Sequence, residues 1–232
     1  MRLHVLSLMI VLVLAHTSAA QNVDLILRGW EKATNDLQNF HADTKRTTID
    51  KALGAKDIFA GQMTIQNTDG KVGARARMQL SKVGNPDVSE KFILNWPDLY
   101  VYSPTNKLVR VQPMLKNRQG AMQHSLLSFL LGVDAKQAQA RYKMELDSRD
   151  KNYHLIHIEP RASEDKADFS MARIAIRRVD NLLGQIWYRQ PNGNDVTWDI
   201  SNPQLNIKLG PNHFIPEVPK GWRVDDLRGK TR

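Results

Sequence analysis

The chain has 232 residues, with 33 lysines and arginines against 24 aspartates and glutamates, a formal net charge of +9, and no cysteine. The missing cysteine excludes disulfides, thiol nucleophiles, thiolate metal sites and an acylated N-terminal cysteine, so the fold must be held by its core alone. Hydrophobic residues make up 41% of the sequence, enough for one domain with a full-sized core, and the basic balance suits an anionic partner.

Residues 1–20 read as a secretory signal peptide. Arg2 gives a positive start, Val5 to Ala15 form an apolar run, and Ser18 and Ala20 fit the small-residue pattern before a cleavage point. Cleavage after Ala20 is expected to leave residues 21–232 as a single soluble, exported domain. Outside the cytoplasm the excess positive charge points to anionic lipid headgroups or envelope polymers and away from nucleic acid.

Residues 22–40 have the spacing of an amphipathic helix. Ile26, Trp30, Ala33, Leu37 and Phe40 recur at intervals of four and three, with Arg28, Glu31, Lys32 and Asp36 on the other side and Asn22 as a cap. After His41 the period changes to two. Phe59, Met63 and Ile65 share one parity, Ala74, Ala76, Met78 and Leu80 another, and "EKFILNW", "DLYVYS" and "KLVRVQ" follow. Turn signals at Asp69-Gly70, Asn85-Pro86 and "SPTNK" separate these runs.

The most apolar stretch beyond residue 20 is "HSLLSFLLGVD" (124–134). It is too short to cross a bilayer, which takes about 20 residues. A helix over about 119–140 would be apolar nearly all round and needs apolar surface on two sides. Alternation resumes with "YKMELD", "YHLIHIE", "ARIAIRRV", "GQIWYRQ" and "DVTWDI", the last two joined at Asn192-Gly193, which suits a type I′ hairpin turn. The expected architecture is mainly β with helices: an incomplete antiparallel β-barrel of roughly ten strands, with the helical segments as a lid. Its apolar interior draws on Trp30 and Leu37 from the first helix, Phe59, Met63, Met78, Leu94, Trp96, Ile174 and Ile176 from the strands, and Leu126, Leu127 and Leu130 from the lid.

Catalytic patterns are missing: there is no G-x-S-x-G elbow, H-E-x-x-H, phosphate-binding loop or dinucleotide fingerprint. His154 and His157 of "HLIH" lie three apart, and on a strand they face opposite ways, which prevents a shared metal. The acidic residues of "EPRASEDKADF" lack calcium-loop spacing and are expected to form structural salt bridges in a turn. The reading is of a protein that is not an enzyme and holds no metal or cofactor. Met63, Met78, Met114, Met122 and Met144 fall on expected apolar faces, where flexible thioethers suit either core filling or a cavity that re-forms around variable chains.

Three stretches resemble the LolA/LolB superfamily of lipoprotein carriers: "LQNFHADTKRT" (37–47), "WPDLYVYSPTNKLVRV" (96–111) and "VPKGWRVDDLRGK" (218–230). Two more, "EPRASEDKADFSMARIAI" (159–176) and "QIWYRQPNGNDVTWDI" (185–200), are similar to blocks of a LolA-like family typical of planctomycete bacteria. The resemblance implies a monomeric periplasmic carrier that takes acyl chains of lipoproteins or lipids into its barrel and meets envelope transport proteins. LolA carriers latch the lid through an arginine before a proline after the second strand; here the nearest positions are Asn67 and Thr68, and Arg75 or Arg77 would take that place only in a different register. An alternative is a periplasmic binding or sensory module whose barrel is filled by its own side chains.

Overall fold

The computed structural model describes residues 22–66, 75–113, 134–147, 149–163 and 165–229. Residues 1–20 and the stretch 124–133, with the expected signal peptide and most of the expected lid, lie outside the described residues, as do Asn67 and Thr68.

A first helix, α1 (22–35), leads into six strands: β1 (Asn39–Ile49), β2 (Lys56–Gln66), β3 (Arg75–Lys82), β4 (Asn85–Asn95), β5 (Asp98–Ser103) and β6 (Leu108–Pro113). A short helix, α2 (Ala135–Arg141), precedes β7 (Tyr142–Asp147), β8 (Tyr153–Pro160), β9 (Met171–Arg177), β10 (Leu183–Arg189) and β11 (Asp195–Leu205), and β12 (Arg223–Asp226) ends the fold. The described strands form one sheet in the order β12-β6-β5-β4-β3-β2-β1-β11-β10-β9-β8-β7. Its end strands, β12 and β7, do not pair with each other, so the sheet is open. Two antiparallel meanders, β1–β6 and β7–β11, are joined where β11 returns to pair with β1.

The sheet has twelve strands against about ten expected, and the twelfth runs parallel to β6. β1 escapes an alternation search because its inward positions include Thr44, Arg46 and Thr48, and β12 has only four residues. The first helix is shorter than its periodicity suggests. It ends at residue 35, and Asn39 already belongs to β1. Asn39 is pinned there: its side chain donates to Ile207 O at 3.0 Å and accepts from Ile207 N at 3.0 Å. That anchoring overrides the helical spacing of Leu37 and Phe40, and Phe40 instead packs on the core from the strand.

Registers show how the two faces are assigned. Pairs directly opposite in a sheet share a face. One row runs Phe59–Arg46–Trp198–Ile186–Ile174–Ile156–Leu146 across seven strands, and a second runs Ala42–Met63–Met78–Phe92–Val101 across the first meander. Buried members of both rows belong to one apolar cluster that also holds Val23, Ile26, Leu27 and Trp30 of α1. This is the inner face. The opposite face of β4–β6 buries Ile93, Tyr102, Val109 and Val111 in a separate cluster, with Trp222 packed against it.

The segment after β11 forms a strap over that outer cluster. Arg77 Nη1 donates to His213 O at 3.2 Å and Tyr102 Oη to Glu217 O at 3.1 Å; Arg223 N and Leu227 N then donate to Lys107 O and Val111 O. Phe214, within the strap, is buried. Trp96 lies just past β4, joined to Pro97 by a cis peptide bond.

Gly61 on β2 marks a close approach between two strands. A Cβ there would lie 2.0 Å from the backbone oxygen of Gln79 on β3, and a backbone atom cannot move aside as a flexible side chain can. We expect Gly61→Ala to cost about 3 kcal/mol, at the upper end of ordinary overpacking. Gly210→Ala, in open space, should change stability by less than about 0.5 kcal/mol. Urea denaturation of the two variants checks this, and equal midpoints would contradict the close approach.

Candidate functional site

The inner face and the helix on it form the largest apolar assembly of the described chain. α1 is helical because Val23, Ile26, Leu27 and Trp30 fall on one side and are all buried, while Arg28, Lys32 and Asn35 face solvent. An exposed Asp24–Arg28 pair at 2.7 Å spans one turn of the outer side, and the Thr34 hydroxyl donates to Trp30 O at 2.9 Å near the C-terminal end. Burial of the four apolar side chains stabilises the docked helix by about 2 kcal/mol each. A polar tie joins the two helices: Gln139 Nε2 of α2 donates to Asp24 Oδ1 at 2.9 Å. Hydrogen bonds from Arg28 and then Gln139 hold the Asp24 carboxyl below the usual carboxylate range.

α2 is capped by Asp134, whose carboxylate accepts from Lys136 N and Gln137 N, and it buries Ala135 and Ala138. Its last residue, Arg141, pairs with buried Asp165, which fixes the turn between β8 and β9. The acidic stretch around residue 165 thus supplies a structural ion pair, as the sequence suggests.

Seven of the proposed interior residues come together. Trp30, Phe59, Met63, Met78, Leu94, Ile174 and Ile176 all lie in the one cluster, between 0% and 7% exposed. Met63 and Met78 are directly opposite on β2 and β3. Leu37, past the end of α1, and Trp96, in the turn after β4, are half-buried and stand outside it. Leu126, Leu127 and Leu130 lie outside the described residues. His154 and His157 face opposite sides: His154 pairs with inner Ile176, whereas His157 pairs with Arg173 on the outer face and is exposed. Among the described residues no group of three or more His, Asp or Glu side chains is placed to hold a metal ion. No helix among them is long and apolar enough to cross a membrane.

Sequence reading missed the middle of the face. Trp198, Ile186, Val196 and Ile156 occupy it, and the parity of "DVTWDI" carried the signal for Val196 and Trp198. Arg46 gave none. Its guanidinium lies 4.7 Å from the Phe59 ring centroid and 5.5 Å from that of Trp198, and it meets Glu90 of β4 through two bonds of 2.7 and 2.8 Å. Burial pushes the nearby Tyr188 phenol up from its ordinary value.

No family model matches this sequence, and no curated protein matches it. Among solved structures, it is similar to an uncharacterized conserved protein from Thermus thermophilus, with a TM-score of 0.52 and 9% identity over 89% of this chain and 98% of that one. It is also similar to MucB, with a TM-score of 0.50 and 9% identity over 85% of this chain, and it spans 63% of MucB's length. A LolA superfamily protein from Nitrosomonas europaea aligns with a TM-score of 0.40 and 10% identity, over 85% of this chain and 98% of that one. At such identities the likeness is one of fold, shared over most of this chain with the Thermus protein and with MucB.

Two histidines give the assembly a pH dependence. His154 Nδ1 on the inner face and His213 Nε2 in the strap are buried with no hydrogen-bond partner among the described residues. Burial lowers both imidazoles below their ordinary value of 6.5, with a further contribution from Arg178 for His154 and from Arg77 and then His41 for His213. A lowered folded value means that the unfolded chain binds protons more readily, so stability is fully present above about 6.5 and is lost as pH falls through the folded values. The urea midpoint should drop between about pH 7 and about pH 5, and the His154→Asn/His213→Asn double variant should show a shallower drop. Equal slopes would contradict the assignment.

Proposed function

We propose that this protein is a periplasmic carrier that binds acyl chains of lipoproteins or lipids without covalent chemistry, on the inner face of its sheet. The observation that supports this reading is the continuous apolar face running across both meanders and closed by an amphipathic helix. Because the wall residues are buried, a ligand enters by taking the place of α1. The magnitudes allow that exchange. A chain of about sixteen carbons gains on the order of 12 kcal/mol at ~0.8 kcal/mol per methylene, against roughly 8 kcal/mol for the four α1 side chains it displaces. No catalytic group is needed, and delivery depends on a partner that competes for the chain.

The close burial of Met63, Leu94, Ile174 and Ile176 also supports a second reading, an envelope binding or sensory module with a filled interior. The Asp24–Gln139 tie separates the two, because Gln139→Ala removes one hydrogen bond that holds α1 in place. For the carrier, a fluorescent fatty-acid probe should bind the wild type saturably and bind Gln139→Ala roughly fivefold tighter, the net effect of one hydrogen bond. Absence of saturable binding by either protein would defeat the carrier and leave the module.

A further inference from the structure

Arg46 occupies an unexpected seat. It stands in a cross-strand row whose other members are Phe59, Trp198, Ile186, Ile174 and Ile156, all buried and apolar, and the half-buried Leu146. A guanidinium there brings a charge into an otherwise apolar row, where an ion pair seldom outdoes apolar packing of similar volume. Its carboxylate partner comes from a distance. Glu90 lies on β4, with β2 and β3 between it and β1, and its own row runs Leu80, Gly61, Thr44. Gly61, the β2 member of that row, contributes no side chain between the two charges. The side chains of Arg46 and Glu90 remain 20% and 29% exposed, so the pair stays within reach of solvent.

Two residues before Arg46 on the same face of β1 is Thr44, 3% exposed, and its hydroxyl has no hydrogen-bond partner among the described residues. A buried hydroxyl without a partner is costly and is normally satisfied by a ligand or water. The flat guanidinium, with two aromatic rings 4.7 and 5.5 Å away and a carboxylate already held by both arms, is suited to a planar or tetrahedral anion.

We propose that Arg46 and Thr44 form a headgroup subsite: the anionic carboxylate or phosphate of an acyl-bearing ligand takes the place of Glu90 on Arg46 while its chain lies along the inner face. This rests on the carrier reading and adds ligand charge to it. Glu90 is the built-in competitor, so the empty protein keeps Arg46 paired and an anionic amphiphile replaces like with like.

The experiment compares an anthroyloxy-labelled fatty acid with its methyl ester, binding each to the full chain and to Glu90→Gln, Thr44→Val and Arg46→Lys. The wild type should prefer the acid. Glu90→Gln, isosteric and uncharged, should tighten the acid roughly tenfold and leave the ester within about twofold. Thr44→Val and Arg46→Lys should each weaken the acid several-fold and spare the ester, and thermal melting confirms that each variant is folded. Equal affinity for acid and ester in every protein would overturn the subsite while leaving the acyl-binding face intact. Binding of neither probe would overturn the carrier reading and the subsite with it. Loss of stability in Glu90→Gln without any change in affinity would make the pair a structural clasp. Displacement of the acid, but not of the ester, by millimolar inorganic phosphate would support the subsite, and phosphate binding with no acid preference would reduce it to a free-anion site.

Discussion

β1 and β11 meet as an antiparallel pair from Phe40 opposite Leu205 to Ile49 opposite Asp195, and the rest of the sheet is built outward from that seam. Without it the molecule would be two meanders, each with one apolar face and nothing to lay it on. With it, the rows of the two halves become continuous, and a side chain on β2 lies in line with one on β7. The Asn39–Ile207 hydrogen bonds at the end of the seam do a second job: they stop α1 short of β1 and turn the chain from helix to strand. The position of α1 over the inner face follows from that turn.

The two faces then diverge chemically. The outer side of β4–β6 carries an apolar cluster covered by the chain's own strap, tied by hydrogen bonds at Arg77 and Tyr102 and by β12 at the edge. The inner side is covered by α1, which is held mainly by four apolar side chains and by the Gln139–Asp24 bond to α2. Apolar burial is non-directional, so another apolar object can replace α1 at the cost of little polar pairing beyond the Gln139–Asp24 bond. A strap fastened through its backbone has no such freedom. That contrast, and not the amount of buried surface, is why the proposed ligand is placed on the inner face.

Much of this was legible in the sequence, and the failures have physical causes. Period-two alternation located Met63, Met78, Leu94, Ile174 and Ile176 on one face because each strand has a dry side. Trp96 shares their parity but lies one residue past the end of β4, where the turn into β5 removes it from the ladder. Leu37 continues the helical spacing of Trp30, yet a tertiary contact at Asn39 ends the helix first. Arg46 and Thr44 could not be found by pattern, since a polar residue on an inner face breaks the alternation that defines one. The pairing of β1 with β11 was equally hidden, being a contact between segments at opposite ends of the domain's sequence.

The central claim is that α1 is a displaceable stand-in for ligand. Hydrogen–deuterium exchange over residues 22–35, measured with and without a saturating long-chain fatty acid, tests it most directly. The account predicts that amide protection in this helix falls on binding while that of β2 and β3 holds or rises. Unchanged or increased protection of 22–35 with ligand bound would contradict it.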